Sequence, residues 1–208
     1  MTQNAEASVP RRNPLRAFVV AALGVAVTGV ALGGVWAWIA PPIHAVVAIT
    51  RAGERVHDYL GTESSHFFDA PCLLLGLLTV LAVTAAVLAW QWRARRGPAM
   101  VAGLSVAMVI VAAAAAGTGA LLLRLGYGAV DFDAVPLLGR PSVAYVVQAP
   151  PVFFSQDALP VAVTLLWPAG IAALVYAVLA AANAHGDLGA LPGADRPSAP
   201  GPVAAGGP

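Results

Sequence analysis

The sequence predicts an all-α membrane protein, a four-transmembrane-helix bundle with two outer loops, the first containing a short amphipathic helix. Three observations predict it. Apolar residues make up 59% of the 208-residue chain and charged residues 10%, whereas a soluble domain hydrates its surface with roughly 25% charged residues. Mean hydropathy is +0.79, too high for a chain that stays disordered throughout. Four apolar runs are long enough to cross a bilayer core of about 30 Å, which takes about 20 helical residues. The balance of 11 basic and 10 acidic groups leaves no cationic excess and argues against nucleic acid as a partner. The single cysteine, Cys72, has no second thiol in the chain for a disulfide.

Taken in order, residues 1–14 are polar and unpatterned and read as a disordered cytoplasmic N-terminus. The membrane domain runs from 15 to 182. Its first span, 17–40, carries no charge and stops at Pro41-Pro42, neither of which can donate the next helical hydrogen bond. Arg11-Arg12 ahead of an apolar run resembles a twin-arginine export signal, but the run is longer than the 7–15 residues of a cleaved signal, so the arginines read as flanking charge. The second span, 72–92, is opened by Pro71, whose missing N–H is harmless in a first turn. The third covers 99–123. The fourth covers 159–182, and Trp167-Pro168 inside it predicts a kink. Trp36, Trp38, Trp90, Trp92 and Tyr176 lie near the span ends, where amphipathic rings settle at headgroup level. Residues 183–208, rich in Gly, Pro and Ala, read as a disordered cytoplasmic tail.

Charge sets the expected orientation. Every basic residue is arginine; seven fall on the side of the termini and the 93–96 turn, and four fall on the other. The positive-inside rule then places both termini in the cytoplasm of a plasma (inner) membrane protein. Seven carboxylates, Glu54, Asp58, Glu63, Asp69, Asp131, Asp133 and Asp157, fall on the outer side.

The two outer loops, 41–70 and 126–157, hold nearly all the available chemistry. In the first, apolar Val46, Val47, Ile49, Val56 and Leu60 alternate with Arg51, Glu54, Arg55 and Asp58, which predicts a short amphipathic helix over 45–60 with Gly61 as its stop. The second is rich in Gly and Pro, and 142–148 is β-prone. It reads as a small lid leaning on the helices, since about 30 residues bury no core of their own.

Candidate sites are few. Glu54-x-x-His57 and Glu63-x-x-His66 repeat one carboxylate-to-imidazole spacing. On a helix such pairs share a face and offer oxygen and nitrogen to a divalent metal such as zinc. Solvated juxtamembrane side chains, or ion pairs of Glu54 with Arg51 or Arg55, account for the same residues more simply and weigh more. Ser64, Ser65, His66 and Asp69 supply the residue types of a triad but lack a nucleophile elbow. No ionisable residue lies inside the four central spans, where a proton relay or ion-coupled transporter would need one. Gly29-x-x-x-Gly33, and Gly117 and Gly119 beside an alanine run, predict faces where helices approach closely, within the chain or against a partner. The hydroxyls of Thr28, Thr79, Thr84, Ser105, Thr118 and Thr164 are expected to bond backbone or a neighbouring helix.

The stretches GVWAWIAPPIHAVVAITRAGERVHDYLGTESSHFF, WQWRARRGP and QAPPVFF resemble a family of small four-span membrane proteins from mycobacteria and related actinobacteria, a domain of unknown function. The resemblance covers roughly residues 15–182. It implies an actinobacterial inner-membrane protein and supplies no activity, cofactor or site residue. The leading expectation is therefore a non-enzymatic accessory or scaffold component of the cell envelope, without catalytic residues or cofactor. It would contact the bilayer and a membrane-protein partner, or a second copy, through outer loops and small-residue helix faces. The alternatives are lipid or small-molecule handling through a lateral opening near Trp167-Pro168, and a metal-dependent enzyme built on Glu54, His57, Glu63 and His66.

Overall fold

The computed structural model describes residues 14–128, 130–137 and 143–183. The disordered segments expected at the two ends of the chain lie, but for Pro14 and Asn183, outside the described residues. Four long helices carry a small antiparallel sheet at one end: α1 (Pro14–Ile39), β1 (Ile43–Ile49), β2 (Arg55–Tyr59), α2 (His66–Gln91), α3 (Pro98–Tyr127), β3 (Val143–Gln148) and α4 (Ala158–Ala181). Single 3-10 turns, Glu63–Ser65 and Arg93–Arg95, precede α2 and α3. Three helical segments, Glu63–Gln91, Pro98–Tyr127 and Ala158–Ala181, are long and apolar enough to cross a membrane. In α1 the shorter stretch Leu23–Ile39 is likewise apolar.

The helices pack out of sequence order, with α1 along α3, α3 along α4 and α4 along α2; α2 meets α1 and α3 only sparsely. The reason lies in side-chain size. Among lipid tails a buried leucine gains little over one facing hydrocarbon, so association depends on backbones coming close. Along α1 and α3 the contacts step by about one turn in parallel. A Cβ on Gly29 would lie 2.7 Å from the Val111 carbonyl, and one on Gly33 would collide with the Ala115 carbonyl. One on Gly119 would lie 2.6 Å from the Trp36 ring. The Gly29-x-x-x-Gly33 motif is thus spent within the chain. Gly117, expected on such a face, has open space where its side chain would be, because it lies two residues from Gly119 and so on another side of α3. On α2 the buried stripe is Ala70, Leu74, Leu78, Ala82 and Ala86, a four-residue repeat that marks one helix face.

Three expectations need correction. The amphipathic helix expected over 45–60 is a β-hairpin. Ile43, Ala45 and Val47 are buried while their neighbours are half-exposed, a period of two that a helix cannot produce. The five-residue connection closes with Gly53 at φ +85°, in the left-handed region, and with Thr50 Oγ1 accepting from the Glu54 N–H at 3.2 Å. Pro71 does not open α2 but sits inside it, since the helix starts at His66. Trp36 is wholly buried rather than facing headgroups, whereas Trp38 is 86% exposed. The Trp36 Nε1–H donates to the Ala70 carbonyl at 2.8 Å, so one indole ties α1 to α2 while its ring fills the notch at Gly119 of α3.

Among the described residues, the expected hydroxyl bonds form at four threonines but not at Ser105 or Thr118. Thr28, Thr79, Thr84 and Thr164 each donate to the carbonyl four residues back, and Thr79 Oγ1 also accepts from Trp167 Nε1 at 2.9 Å across the α2–α4 seam. With Pro168, Ala169 and Ala172 buried beneath it, the place where a lateral opening was expected is closed.

Candidate functional site

The two loops build one object. The sheet order is β2-β1-β3 with both pairings antiparallel, so the central strand comes from the α1–α2 connection and one edge strand from the α3–α4 connection. The expectation of a strand at 142–148 is met by β3, although its role as the second partner of β1 lay beyond local pattern. Directly paired residues share a sheet face. One face carries Ile43, Ala45 and Val47 with Tyr59, His57, Ala144 and Val146. It is covered in part by the 130–137 segment: His57 stacks on Phe132 at 4.6 Å, and the Arg55 guanidinium donates to the Phe132 and Val135 carbonyls at 3.0 and 2.8 Å.

The opposite face carries His44, Val46 and Ala48 with Val56, Asp58, Val143, Tyr145 and Val147. Tyr145 is 75% exposed, Val56 44% and Val147 38%. An apolar patch on a sheet is a contact surface more often than an accident of composition. Its signal in the sequence was the near-continuous apolar run of 143–147, which puts apolar residues on both faces of the strand.

The sheet is tied to α2 by two histidines. The Glu63 carboxylate accepts from the His44 backbone N–H at 2.6 Å and from His44 Nδ1 at 2.8 Å. An ionised carboxylate only accepts, so Nδ1 bears the ring proton in that contact. The His44 N–H foremost, and then the His44 side chain and the His66 imidazole, hold the Glu63 carboxyl below its ordinary range against a smaller opposing effect of burial. His66 Nδ1 in turn donates to the Pro42 carbonyl at 2.8 Å. Glu63 and His66 therefore converge on the start of β1, with His44 as the third member.

The four proposed metal ligands do not come together. Glu54 lies at the hairpin turn and His57 in β2, where residues three apart point to opposite faces; the helical premise for that pair is gone. His57 is engaged with Phe132, while Glu63 and His66 are engaged with His44 and Pro42. Among the described residues no three His, Cys, Asp or Glu side chains form a group able to hold a metal ion. Of the triad residue types, Ser65 Oγ donates to Asp69 at 3.1 Å while the His66 Nδ1 is engaged with the Pro42 carbonyl, so serine, imidazole and carboxylate form no chain of hydrogen bonds.

At the other end of the bundle the connection between α2 and α3 is held by aromatic and arginine contacts. The Arg96 guanidinium lies 4.1 Å from the Trp90 ring centroid, and its Nε donates to the Trp90 carbonyl at 2.9 Å. Trp90 meets Tyr176 edge-on at 5.1 Å, and Tyr176 Oη accepts from the Gly97 N–H at 3.2 Å. Gly97, at φ +152°, takes a backbone shape open essentially to glycine alone before Pro98 starts α3.

Residues 25–190 match the family described as "Protein of unknown function (DUF2567)". The chain belongs to this family. It is 65% identical over 184 residues to the uncharacterized protein ML1222 of Mycobacterium leprae (strain TN), covering 88% of this chain and 92% of that protein. It is 65% identical over 177 residues to the uncharacterized protein Rv1591 of Mycobacterium tuberculosis (strain ATCC 25618 / H37Rv), covering 85% and 92%. The uncharacterized protein Mb1617 of Mycobacterium bovis (strain ATCC BAA-935 / AF2122/97) matches to the same extent. No solved structure matches the chain. The sequence resemblance to an uncharacterised mycobacterial family is thereby established.

Proposed function

We propose that the protein is a four-span component of the plasma membrane, with both termini cytoplasmic, that serves as a non-enzymatic accessory or scaffold of the cell envelope. The open sheet face carries this reading. A three-stranded sheet bearing Val56, Tyr145 and Val147 toward solvent costs apolar hydration at every exposed side chain, and a protein partner seated there would remove that cost. The spans are supported by three helices of sufficient length and apolarity and by α1, a helix of 26 residues in the same bundle. Arginine-rich flanks support the orientation, and the absence of ionisable residues from the central spans supports a role without proton or ion coupling.

The test is a photo-crosslinking amino acid placed at Tyr145 in cells, with the same group at Asp133 as the control. A discrete adduct with one envelope protein, or with a second copy of the chain, at 145 and not at 133 is the expected result. Equal, diffuse labelling at both positions would overturn the docking role. Lipid handling keeps one specific support: apolar grooves of about 540 and 680 Å³ flank α2, which its neighbours cover incompletely.

A further inference from the structure

The larger of those grooves lies at the arginine end, between the last turns of α2 and the first turns of α3. Leu88, Gln91 and Trp92 line one wall and Met100, Gly103 and Leu104 the other, enclosing about 680 Å³. Its lining is apolar except for Gln91, and the turn that bears Arg93 and Arg95 follows Trp92 directly in the chain. The Arg95 guanidinium sits 5.8 Å from the ring centroid of Trp92, itself part of the wall and 66% exposed. Every carboxylate among the described residues lies toward the opposite end of the bundle, in or beside the sheet and its connections. Among the described residues, then, no acid lies at the end of the bundle that carries Arg93 and Arg95.

We infer that this groove is a resident site for an anionic phospholipid, one acyl chain lying along Leu88 and Leu104 and the phosphate resting between Arg93 and Arg95. Charge complementarity selects the occupant. A neutral partner helix would leave two guanidinium groups unanswered, whereas a basic pocket between helices at the membrane surface recognises acidic headgroups. Arginine suits the task, since its planar fork pairs with two phosphate oxygens at once. Trp92 closes the rim at the depth where indoles meet glycerol and headgroups. Gly103 keeps the channel clear: a Cβ there would meet nothing within 4 Å. The inference rests on the membrane-spanning reading above and is independent of the scaffold role.

The experiment uses the full chain in mild detergent, titrated with phosphatidylglycerol or phosphatidylcholine carrying brominated acyl chains, which quench an indole they touch. Trp92→Phe isolates the signal of Trp92 from the other four tryptophans. Phosphatidylglycerol should quench Trp92 at roughly tenfold lower mole fraction than phosphatidylcholine, as two surface arginines imply. Replacing both arginines (R93Q/R95Q) should abolish that preference. Gly103→Leu should fill the groove and remove the quenching, while Gly117→Leu, also in open space on α3, should leave it intact. Equal quenching by the two lipids, or a preference that survives R93Q/R95Q and Gly103→Leu, would overturn the site. Alkaline carbonate extraction separates the two readings: release of the protein from membranes refutes the spans, whereas retention without anionic preference refutes the lipid site alone.

Discussion

Single residues decide how closely α1 can approach α3. Gly33 faces the Ala115 carbonyl so tightly that any side chain must push the helices apart. Gly33→Ala should therefore cost about 1–3 kcal/mol, the usual cost of forcing a methyl group into a filled space. Gly117→Ala should do the reverse, raising stability by up to about 1 kcal/mol, because alanine is the better helix former and meets no obstacle. Thermal unfolding of the two variants in the same detergent checks both signs; equal shifts would mean that the helices are not packed through this face. Trp36→Phe keeps most of the ring contact with Gly119 and deletes the indole donor to Ala70. About 1 kcal/mol should be lost, the net worth of one hydrogen bond, readable as a lower unfolding midpoint. The small-residue motif was legible in the sequence at this scale. That Trp36 points inward while Trp38 points outward was not, since span-end tryptophans two residues apart read alike until a third helix supplies the notch.

At the scale of elements, the link between the sheet and α2 depends on one carboxylate. Because Glu63 is held below its ordinary pKa by the His44 N–H and imidazole, its ionised form is favoured in the folded protein. The stabilisation is complete above the ordinary glutamate range and is lost as pH falls through the lowered value. The protection of the His44 amide, its exchange measured against an unstructured peptide at the same pH, should therefore fall on acidification below that range. Glu63→Gln should exchange faster at neutral pH and lose most of the acid dependence. A wild-type profile that runs parallel to the variant's would sink the anchor. The hairpin illustrates why local pattern misled. Val46, Val47 and Ile49 satisfy a helical stripe and a strand pair alike, and the distinguishing partner, β3, lies about a hundred residues further along the chain. For Glu54 and His57 the helical spacing belonged to the same misreading, whereas Glu63 and His66 do lie on one helical run. The bond of Glu63 to His44, nineteen residues upstream, depends on the hairpin and was not given by that spacing.

For the whole molecule, apolar length carried most of the helical architecture. The helix boundaries fall within a few residues of those read from composition for the last three helices, apart from a longer lead-in to α2. What composition could not supply was the packing order, because all four runs are apolar on every side and none marks its neighbour. Reporter fusions at the two termini, at residue 96 and at residue 133 should read cytoplasmic, cytoplasmic, cytoplasmic and external; any inversion would refute the four-span orientation.

The central position of β1 has a consequence for biosynthesis. On the four-span topology proposed above, a ribosome delivers β1 and its hairpin partner β2 to the far side of the membrane long before β3 is made. During that interval one edge of β1 has no covalently linked strand to pair with, and unpaired edges recruit foreign strands. The nascent protein must therefore keep Ile43, Ala45 and Val47 out of mischief until two more helices have been inserted. Chains arrested after Tyr127 should be cleaved at the hairpin by added protease far faster than finished ones, and the last loop to emerge is the one that seals the first.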